Sequence, residues 1–505
     1  MFKKKNDQKP IVNNNTFNDV MTCARKSNDF TEIKKHVLGS VIFIYYFNTL
    51  INGETMQRVL LPYITEYEKN QDSFLDIGKF QNNLPLEDVV KTNDVKEIED
   101  KIHNGYVLIK FDNTLDECLL INISNLSKGA RQFNDSENEF SVIGPKVGFV
   151  ENLDTNINIL RRKVKSPLLV TEELVLGTMS KTRIMIVYLD GVTNKKHVET
   201  ARKRLNEIDF DIVWDTTALD QIISDNSNTP FPLYLSTERL DRIAYALTVG
   251  QVVIFSDGSP YAISGPSTIL DFFVSSEDYY YNWVIGSFFR LIRILCIFFS
   301  IFSSSLYVSV VTFHYEIIPV DLLGPIIESR VNVPFPPLLE VIFLEVTIEL
   351  LREAGARLPT KIGQTLGIVG GIVIGQAAVM ASLTSNILLI IVALSALASF
   401  TTPTVTMSNT IRLLRFPFIV MSSILGGLGI MLGIILMLCH LFKLKSFDTP
   451  YMVPLYPFRI KSFNDSFIRS SYEKLNLRAD FLKTEKKLKY IPKKRNEKRE
   501  DINDE

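Results

Sequence analysis

Three long stretches of this chain contain no aspartate, glutamate, lysine or arginine, and they limit the possible folds more than any other feature. They cover residues 294–315, 362–411 and 416–442. A helix of about 20 apolar residues is long enough to cross the hydrocarbon core of a membrane. We therefore expect an all-α polytopic transmembrane domain over residues 283–442.

The lengths of these stretches predict four membrane spans. The first stretch supplies one span, and the second has room for two spans of about 20 residues each, joined by a turn at 384–386. The third stretch supplies the last span, with Gly426, Gly427 and Gly429 as a weak point in its middle.

Positive charges beside the spans predict on which side of the membrane the flanking regions lie. Arg290 and Arg293 precede the first span, and residues 443–505 carry 16 Lys or Arg against 10 Asp or Glu. Cytoplasmic flanks of membrane spans are enriched in Lys and Arg. We therefore expect a large cytoplasmic N-terminal region and, over 443–505, a basic cytoplasmic C-terminal tail.

The segment 338–352 is apolar enough to enter a membrane but carries Glu340, Glu345 and Glu349, each of which is costly at the bilayer centre. As a fifth span it would place Arg352 in the cytoplasm, but it would send the basic tail outside. We expect four spans, with this segment as a partly embedded or protein-covered helix.

Glu345, Glu349 and Arg352 fall on one face of that helix, so an ion pair between Glu349 and Arg352 is feasible. Rings of acidic side chains attract cations in pores. The three residues could therefore line an ion pathway. A structural ion pair or a position at the lipid headgroups explains the same pattern, and the sequence leaves these alternatives open.

The helix that begins the second uncharged stretch has two different faces when it is projected at 100° per residue. One face carries small residues suited to close helix packing, namely Gly367, Gly371, Gly375 and Ala378. The opposite face carries the pore-lining candidates Val369, Val373, Gln376 and Met380. The Gln376 amide would be costly against lipid, so it lines a wet pore or forms interhelical hydrogen bonds.

Upstream of the spans, short apolar runs alternate with amphipathic stretches, which indicates an α/β cytoplasmic region of two subdomains. The predicted divisions are a disordered polar tail over 1–36, subdomain 1 over 37–125, a linker over 126–140 and the α/β subdomain 2 over 141–282. Within subdomain 2 we expect a strand at 211–214, and Asp257-Gly258 predicts a β-hairpin over 252–263.

Several functional classes are disfavoured. Lys and Arg number 55 against 56 Asp and Glu, so the net charge implies no attraction to nucleic acid. The four cysteines, Cys23, Cys118, Cys296 and Cys439, are too scattered for a disulfide framework or a zinc site. No nucleotide-binding, metalloprotease or serine-hydrolase motif is present. We expect no enzyme activity, no catalytic residue, no metal and no cofactor.

The uncharged stretches and the acidic segment together resemble a known family. VPFPPLLEVIFLEVTIELLREAGARLPTKIGQTLGIVGGIVIGQAAVMASLTSNILLIIVALSALASFTTP (333–403), IRLLRFPFIVMSSILGGLGIMLG (411–433), GPKVGFVENLDTNINILRRK (144–163), DGSPY and EDYY (277–280) resemble the A subunits of GerA-type spore germinant receptors. The resemblance covers about 140–460.

The resemblance implies a multi-pass protein of the spore inner membrane that acts in spore germination. It implies a transporter-like B subunit and a lipoprotein C subunit as receptor partners, and a homo-oligomeric ring that conducts ions when nutrient binds. It favours the pore-lining interpretation of Val373 and Gln376. The expected function is thus a channel-forming, signal-transducing subunit. The alternative is a non-conducting scaffold that relays the nutrient signal through its cytoplasmic domain.

Overall fold

The computed structural model describes residues 16–37, 40–69, 80–81, 83–86, 88–111, 117–124, 139, 143–357, 371, 373–459 and 465–490. Within these residues the chain forms an N-terminal α/β region of two lobes, a helical domain and a C-terminal segment that returns to the second lobe.

The first lobe is a five-stranded antiparallel sheet with the strand order β1-β2-β4-β5-β3. Its strands are β1 (Phe30–Val37), β2 (Ser40–Phe47), β3 (Val89–Thr92), β4 (Tyr106–Phe111) and β5 (Cys118–Asn122). Its helices are α1 (Phe17–Ala24), a short turn of helix (Gly53–Thr55) continued by π-helical Met56–Leu60, α2 (Leu61–Lys69) and α3 (Val95–Ile102). Buried side chains such as Ile44, Ile109 and Leu120 fill both faces of the sheet.

The prediction of a disordered tail over 1–36 is wrong for residues 16–36. Thr16 caps α1, whose Val20 and Met21 are buried, and β1 pairs with β2 from Phe30 to Val37. The polar composition of the segment concealed this, because an edge strand needs apolar side chains on one face only. Residues 1–15 lie outside the described residues.

The second lobe repeats the architecture with another antiparallel sheet of strand order β6-β7-β9-β10-β8. Its strands are β6 (Leu169–Leu176), β7 (Thr182–Leu189), β8 (Leu235–Thr237), β9 (Val252–Ser256) and β10 (Ala262–Gly265). Its helices are α4 (Leu153–Lys163), α5 (Lys195–Asn206), α6 (Thr216–Ile222) and α7 (Leu240–Val249), followed by 3₁₀ turns at Ile269–Phe272 and Ser276–Tyr279.

The Asp257-Gly258 hairpin is confirmed, because β9 and β10 pair antiparallel with Phe255 opposite Ala262, and Gly258 has a φ of 82°. The expected strand at 211–214 is wrong. These residues form no ladder, and Trp214 is exposed. Apart from Glu139, the predicted linker 126–140 lies outside the described residues.

A buried polar interface joins the two lobes. Arg161 in α4 donates from Nε to Asp29 Oδ2 (2.7 Å), and Asp29 also accepts from Thr49 (2.7 Å) and Thr171 (2.8 Å). The Asn158 amide donates to the carbonyl of Thr49 (2.6 Å). Because both ionic side chains are almost fully buried, the lobes are held in one orientation by a satisfied charge pair.

The helical domain begins directly after the second lobe. Its helices are α8 (Trp283–Phe313), α9 (Val320–Arg330), α10 (Pro337–Arg357), a helix whose described part is 373–380, α11 (Asn386–Ser399), α12 (Val405–Leu425) and α13 (Gly427–Lys443). Among the described residues, α8 alone is both long and apolar enough to cross a membrane by itself, and α11 and α13 are shorter apolar helices. The predicted turn at 384–386 falls where the connection from the 373–380 helix enters α11, which begins at Asn386.

The expected single span over 416–442 is two helices that fold back on each other. The chain turns at Gly426, which has a φ of 61°. A Cβ added at Gly433 would lie 2.5 Å from the Phe418 ring, although a straight helix would separate these residues by about 22 Å. The glycines that looked like a weak point in one helix are therefore a reversal between two.

Hydrogen bonds place one end of the helical domain against the second lobe, and we call this the proximal end. Thr404 at the start of α12 donates to the carbonyl of Phe272 (3.4 Å), and His440 near the end of α13 contacts Thr229. At the opposite, distal end, the amide of Gly427 donates to His314 Nε2 (3.2 Å), just beyond α8.

A buried ion pair and two junctions with the N-terminal region

The interior of the helical domain contains a buried ion pair that the sequence did not identify. Arg415 Nη1 in α12 lies 3.1 Å from Glu345 Oε2 in α10, and both side chains are almost completely buried. Glu345 Oε1 accepts from Ser304 (2.7 Å), and Arg415 Nη2 donates to Ser300 Oγ (2.6 Å) and to the carbonyl of Ser395 (2.9 Å). This cluster joins α8, α10, α11 and α12.

The other two charged candidates of α10 lie nearer the proximal end. Arg352 Nη1 is 3.2 Å from Glu349 Oε1, so the predicted pair between them is formed. Arg412 of α12 lies 3.7 Å from the same Glu349 oxygen, and Asn409 accepts from both arginines. The structure separates the three candidates into one buried residue, Glu345, and an exposed pair.

Glu340 is buried at the distal end of α10. It pairs with Arg330 of α9 (2.9 Å) and accepts from the amide of Ser385 (3.3 Å), the N-cap of α11. A carboxylate at this position is favoured by the positive end of the helix dipole. Glu340 therefore fixes the start of α11 beside α10.

The 373–380 helix carries most of the residues that the sequence assigned to two faces. Val373, Gln376 and Met380 are exposed, and Met380 has 85% of its surface accessible. On the other face Ala378 is buried, a Cβ at Gly375 would meet Leu389 at 3.6 Å, and a Cβ at Gly371 would meet open space. The candidates Val369 and Gly367 lie outside the described residues.

The junction between the second lobe and α8 is built from buried charges. Asp278 Oδ2 lies 3.2 Å from Arg290 Nε and 3.0 Å from Arg293 Nη1. Arg290, which is fully buried, also donates to Asp465 of the C-terminal segment (3.3 Å to Oδ1). Gly286 permits this approach, because a Cβ there would lie 2.6 Å from the carbonyl of Asp278. Arg290 and Arg293 thus anchor α8 to the lobe.

A second junction connects a loop of the second lobe to the ends of α12 and α13. Thr229 Oγ1 lies 2.8 Å from His440 Nε2, and Thr410 donates to the carbonyl of Pro230. In the same loop Asp225 pairs with Arg204 (2.6 Å) and accepts from the amide of Phe447, just after α13. This loop therefore contacts both α12 and α13 at the proximal end.

The C-terminal segment 445–490, expected to be a tail, packs on the second lobe over its described part. A short hairpin of β11 (Lys445–Ser446) and β12 (Thr449–Pro450) is followed by the buried Tyr451. Further along, Arg478 donates to the carbonyl of Thr248 (2.8 Å), and the amide of Glu485 donates to the carbonyl of Val192 (3.1 Å). The end of α13 and the N-terminal region therefore lie on the same side of the helical domain.

His197 lies at this contact. It is buried in α5, and its Nε2 lies 3.4 Å from Thr449 Oγ1. Burial, together with the nearby charge of Lys483, lowers the pKa of His197 to about 4. The imidazole is therefore neutral at physiological pH.

Comparison with known proteins identifies the family of this chain. The family model of the Bacillus/Clostridium GerA spore germination protein matches residues 18–481. The chain belongs to the GerA family. It is 47% identical over 474 residues to spore germination protein GerQA of Bacillus cereus, covering 94% of each chain. It is 36% identical over 451 residues to spore germination protein A1 of Bacillus subtilis (strain 168), covering 89% of this chain and 92% of the relative.

A solved structure is similar to the N-terminal half of this GerA protein. It is the N-terminal domain of the A subunit of the Bacillus megaterium spore germinant receptor GerK3, which is 23% identical in sequence. The match covers 50% of this chain and 92% of that chain, with a TM-score of 0.37.

Membership of the GerA family confirms the resemblance drawn from the sequence, and it makes this chain a spore germination protein. The missed residues left only partial signals. Arg415 stands between uncharged stretches, and a charge in such a place predicts a partner of opposite sign on a facing helix. Nothing in the sequence pairs Asp465 with Arg290, because 175 residues separate them.

Proposed function

We propose that this GerA protein is the channel-forming and signal-transducing A subunit of a nutrient germinant receptor. One observation carries the proposal, namely the exposed stripe of Val373, Gln376 and Met380 on a helix whose other face is buried at Ala378 and lies against Leu389 at Gly375. A glutamine amide is costly against lipid, so Gln376 faces water or another subunit. In a ring of copies this stripe would line the central opening.

The directions of the helices support six membrane crossings instead of four. α8 and α12 run from the proximal to the distal end, and α13 returns. α10 starts beside Ser385 and reaches Asn409 of α12 near the proximal end, so it also returns. In this arrangement the 373–380 helix leads outward and α11 leads inward. The number of crossings is then even, so both ends of the helical domain lie on the same side of the membrane.

This arrangement removes the conflict between the two charge patterns. With α10 as a crossing helix, Arg352, Arg357, Arg412 and Arg415 all lie towards the cytoplasm. With 416–442 contributing to two crossings, the basic C-terminal segment is also cytoplasmic, as the positive-inside rule requires. The buried partner of Glu345 offsets the cost of a carboxylate within the membrane.

Signal transfer would use the two junctions. In this proposal the receptor partners are a transporter-like B subunit, which binds the nutrient, and a lipoprotein C subunit, and the complex lies in the spore inner membrane. When nutrient is bound, the B subunit would contact the open arrangement of the ring more favourably than the closed one. This difference would shift the ring from closed to open. The junctions at Asp278 and at Thr229 would connect that shift to the cytoplasmic lobes.

Cysteine accessibility tests the pore. In a chain whose Cys23, Cys118, Cys296 and Cys439 are replaced by serine, we would compare Gln376→Cys with Ile390→Cys, an exposed position of α11. A charged, membrane-impermeant thiol reagent should modify Gln376→Cys faster after nutrient addition, and it should leave Ile390→Cys unmodified. Equal protection of both positions in nutrient-treated spores would contradict a wet pore.

The non-conducting scaffold is the second candidate. It is favoured by the junctions, which can relay a signal without any pore, and it assigns Gln376 to a dry contact between subunits. Under that function, Gln376→Leu should reduce assembly of the receptor, measured by copurification. A pore predicts instead normal assembly with altered ion release.

A further inference from the structure

A cavity of about 620 Å³ lies between α7 of the second lobe and the C-terminal segment. One wall is formed by α7 residues that include Tyr245 and Val249, and the facing wall by residues that include Arg478, Leu482 and Lys489. Cavities of roughly 300–1,000 Å³ accommodate small organic ligands. The cavity therefore has the size of a ligand site, and it exists only because the C-terminal segment is docked.

Lys489 brings to the cavity wall a positive charge that has no direct ion pair among the described residues. Its ammonium lies 4.9 Å from the centre of the Tyr245 ring. Across the described part of the chain, no carboxylate lies within ion-pair distance of the Lys489 ammonium and no acceptor is hydrogen-bonded to it. Burial lowers the pKa of Lys489 to about 8 in spite of the Asp465 carboxylate on the same wall, and the positive charge of Arg478 adds to the effect.

The acidic residues on the cavity wall already have partners. Asp465 accepts from Tyr279 Oη (2.6 Å) and pairs with Arg290, and Asp241 is held by Arg239 (2.8 Å). Arg478 is engaged by backbone carbonyls, including that of Thr248. An incoming anionic group would therefore meet Lys489 without displacing an existing pair.

The rest of the cavity suits an apolar body. Tyr245 belongs to a helix inside the protein, yet 40% of its surface is accessible because the ring faces the cavity. Ala244, Leu270 and Leu482 complete an apolar wall beside it. Aromatic and aliphatic walls with one charged group are typical of sites that bind amphiphilic small molecules.

We propose that this cavity binds a small organic anion, whose carboxylate or phosphate meets Lys489 and whose apolar or aromatic body packs on Tyr245. The site is separate from the pore stripe, and it does not depend on the channel function. Since Tyr279 connects the cavity wall to Asp465 and Arg290, an occupant would fasten the C-terminal segment against the start of α8.

Protection from lysine labelling tests the site in the full chain in lipid nanodiscs. Pyridoxal 5′-phosphate, an aromatic aldehyde with an anionic group, condenses with an unprotonated lysine amine, and borohydride fixes the adduct for mass spectrometry. We expect Lys489 to be labelled at least about tenfold faster than exposed Lys487, because the site binds the probe and its amine loses its proton more readily. Labelling of Lys489 should also saturate as the probe concentration rises.

Competitors separate the possible ligands. Benzoate and phenyl phosphate should protect Lys489. Inorganic phosphate should not, because it has no apolar body, and benzyl alcohol should not, because it has no anionic group. Val249→Trp, which fills the cavity, should abolish saturation, and Lys487→Gln should leave the result unchanged. Labelling of Lys489 at the Lys487 rate, or equal protection by inorganic phosphate, would overturn the proposal. The competition assay on the unaltered chain decides this even if the variants do not fold.

Discussion

Glu345 and Arg415 form an ion pair inside the helical domain, with 3.1 Å between Oε2 and Nη1 and only 4% and 3% of their side chains exposed. The serines around them supply further hydrogen bonds from α8 and α11. A pair of this kind contributes little stability relative to an apolar core, but the loss of one partner leaves an uncompensated buried charge. The pair and the serines around it therefore connect four helices at one buried point.

Removal of one member of this pair should destabilise the helical domain. Glu345→Ala leaves Arg415 buried without a counter-charge, at an expected cost of about 3–5 kcal/mol. Glu353→Ala is the control, because its pair with Arg357 on the same helix is exposed and its loss should cost less than about 1 kcal/mol. Thermal unfolding of the purified protein, followed by helical circular dichroism, measures both. Equal melting temperatures for the two variants would contradict the structural role.

The sequence predicted the composition of this site but not its geometry. It identified Glu345, Glu349 and Arg352, and it paired the last two correctly, because residues three apart are neighbours on one helix. The partner of Glu345 is on another helix, 70 residues away. Such a contact depends on how helices pack, and no local pattern reports it.

The fold shows the same limit. Spacing of apolar residues located both lobes, and Asp257-Gly258 located a hairpin, since these signals are local. The reversal at Gly426 was missed, because an uncharged stretch of 27 residues has the length of one span and also contains room for a turn between two helices. α1 and β1 were missed because their stability comes from packing against the rest of the first lobe.

The junction at Asp278 should control how firmly α8 is attached to the second lobe. Asp278→Asn keeps the shape of the side chain but removes the negative charge that faces Arg290 and Arg293. The first turns of α8 should therefore open more readily. We expect at least about tenfold faster hydrogen exchange over 283–293. Asp154→Asn, which alters a half-exposed pair with Arg183, should leave exchange there unchanged. Unaltered exchange in both variants would contradict the anchoring role.

The contact between Thr229 and His440 should affect signalling more than assembly. A neutral hydrogen bond contributes about 1 kcal/mol. His440→Phe should therefore weaken the coupling between the helical domain and the second lobe by roughly fivefold. Germination rate at subsaturating nutrient should fall, while the amount of protein in the spore membrane stays constant. Cys439→Ser, a change at the adjacent exposed residue, is the control. A fall in protein amount equal to the fall in rate would indicate a purely structural contact.

Acid should loosen the C-terminal segment through His197. In the folded protein burial lowers its pKa to about 4, whereas an unfolded histidine has a pKa of about 6.5. Between these values the opened state binds a proton that the docked state does not. The free energy that favours docking of the C-terminal segment should therefore reach its maximum above pH 6.5. It should decrease as the pH falls towards 4, by at most roughly 3 kcal/mol.

Hydrogen-exchange protection of the amide of Tyr451, corrected for intrinsic exchange, measures this loss between pH 7 and pH 4. The Tyr451 amide donates to the carbonyl of Leu444 across the C-terminal hairpin (3.0 Å), so it exchanges only when the hairpin opens. His197→Gln should reduce the loss of protection at low pH, because glutamine cannot take up the proton. His36→Gln, at an exposed position of β1, should retain it. If protection in the unaltered chain were constant across this range, His197 would not be the group that couples acid to opening.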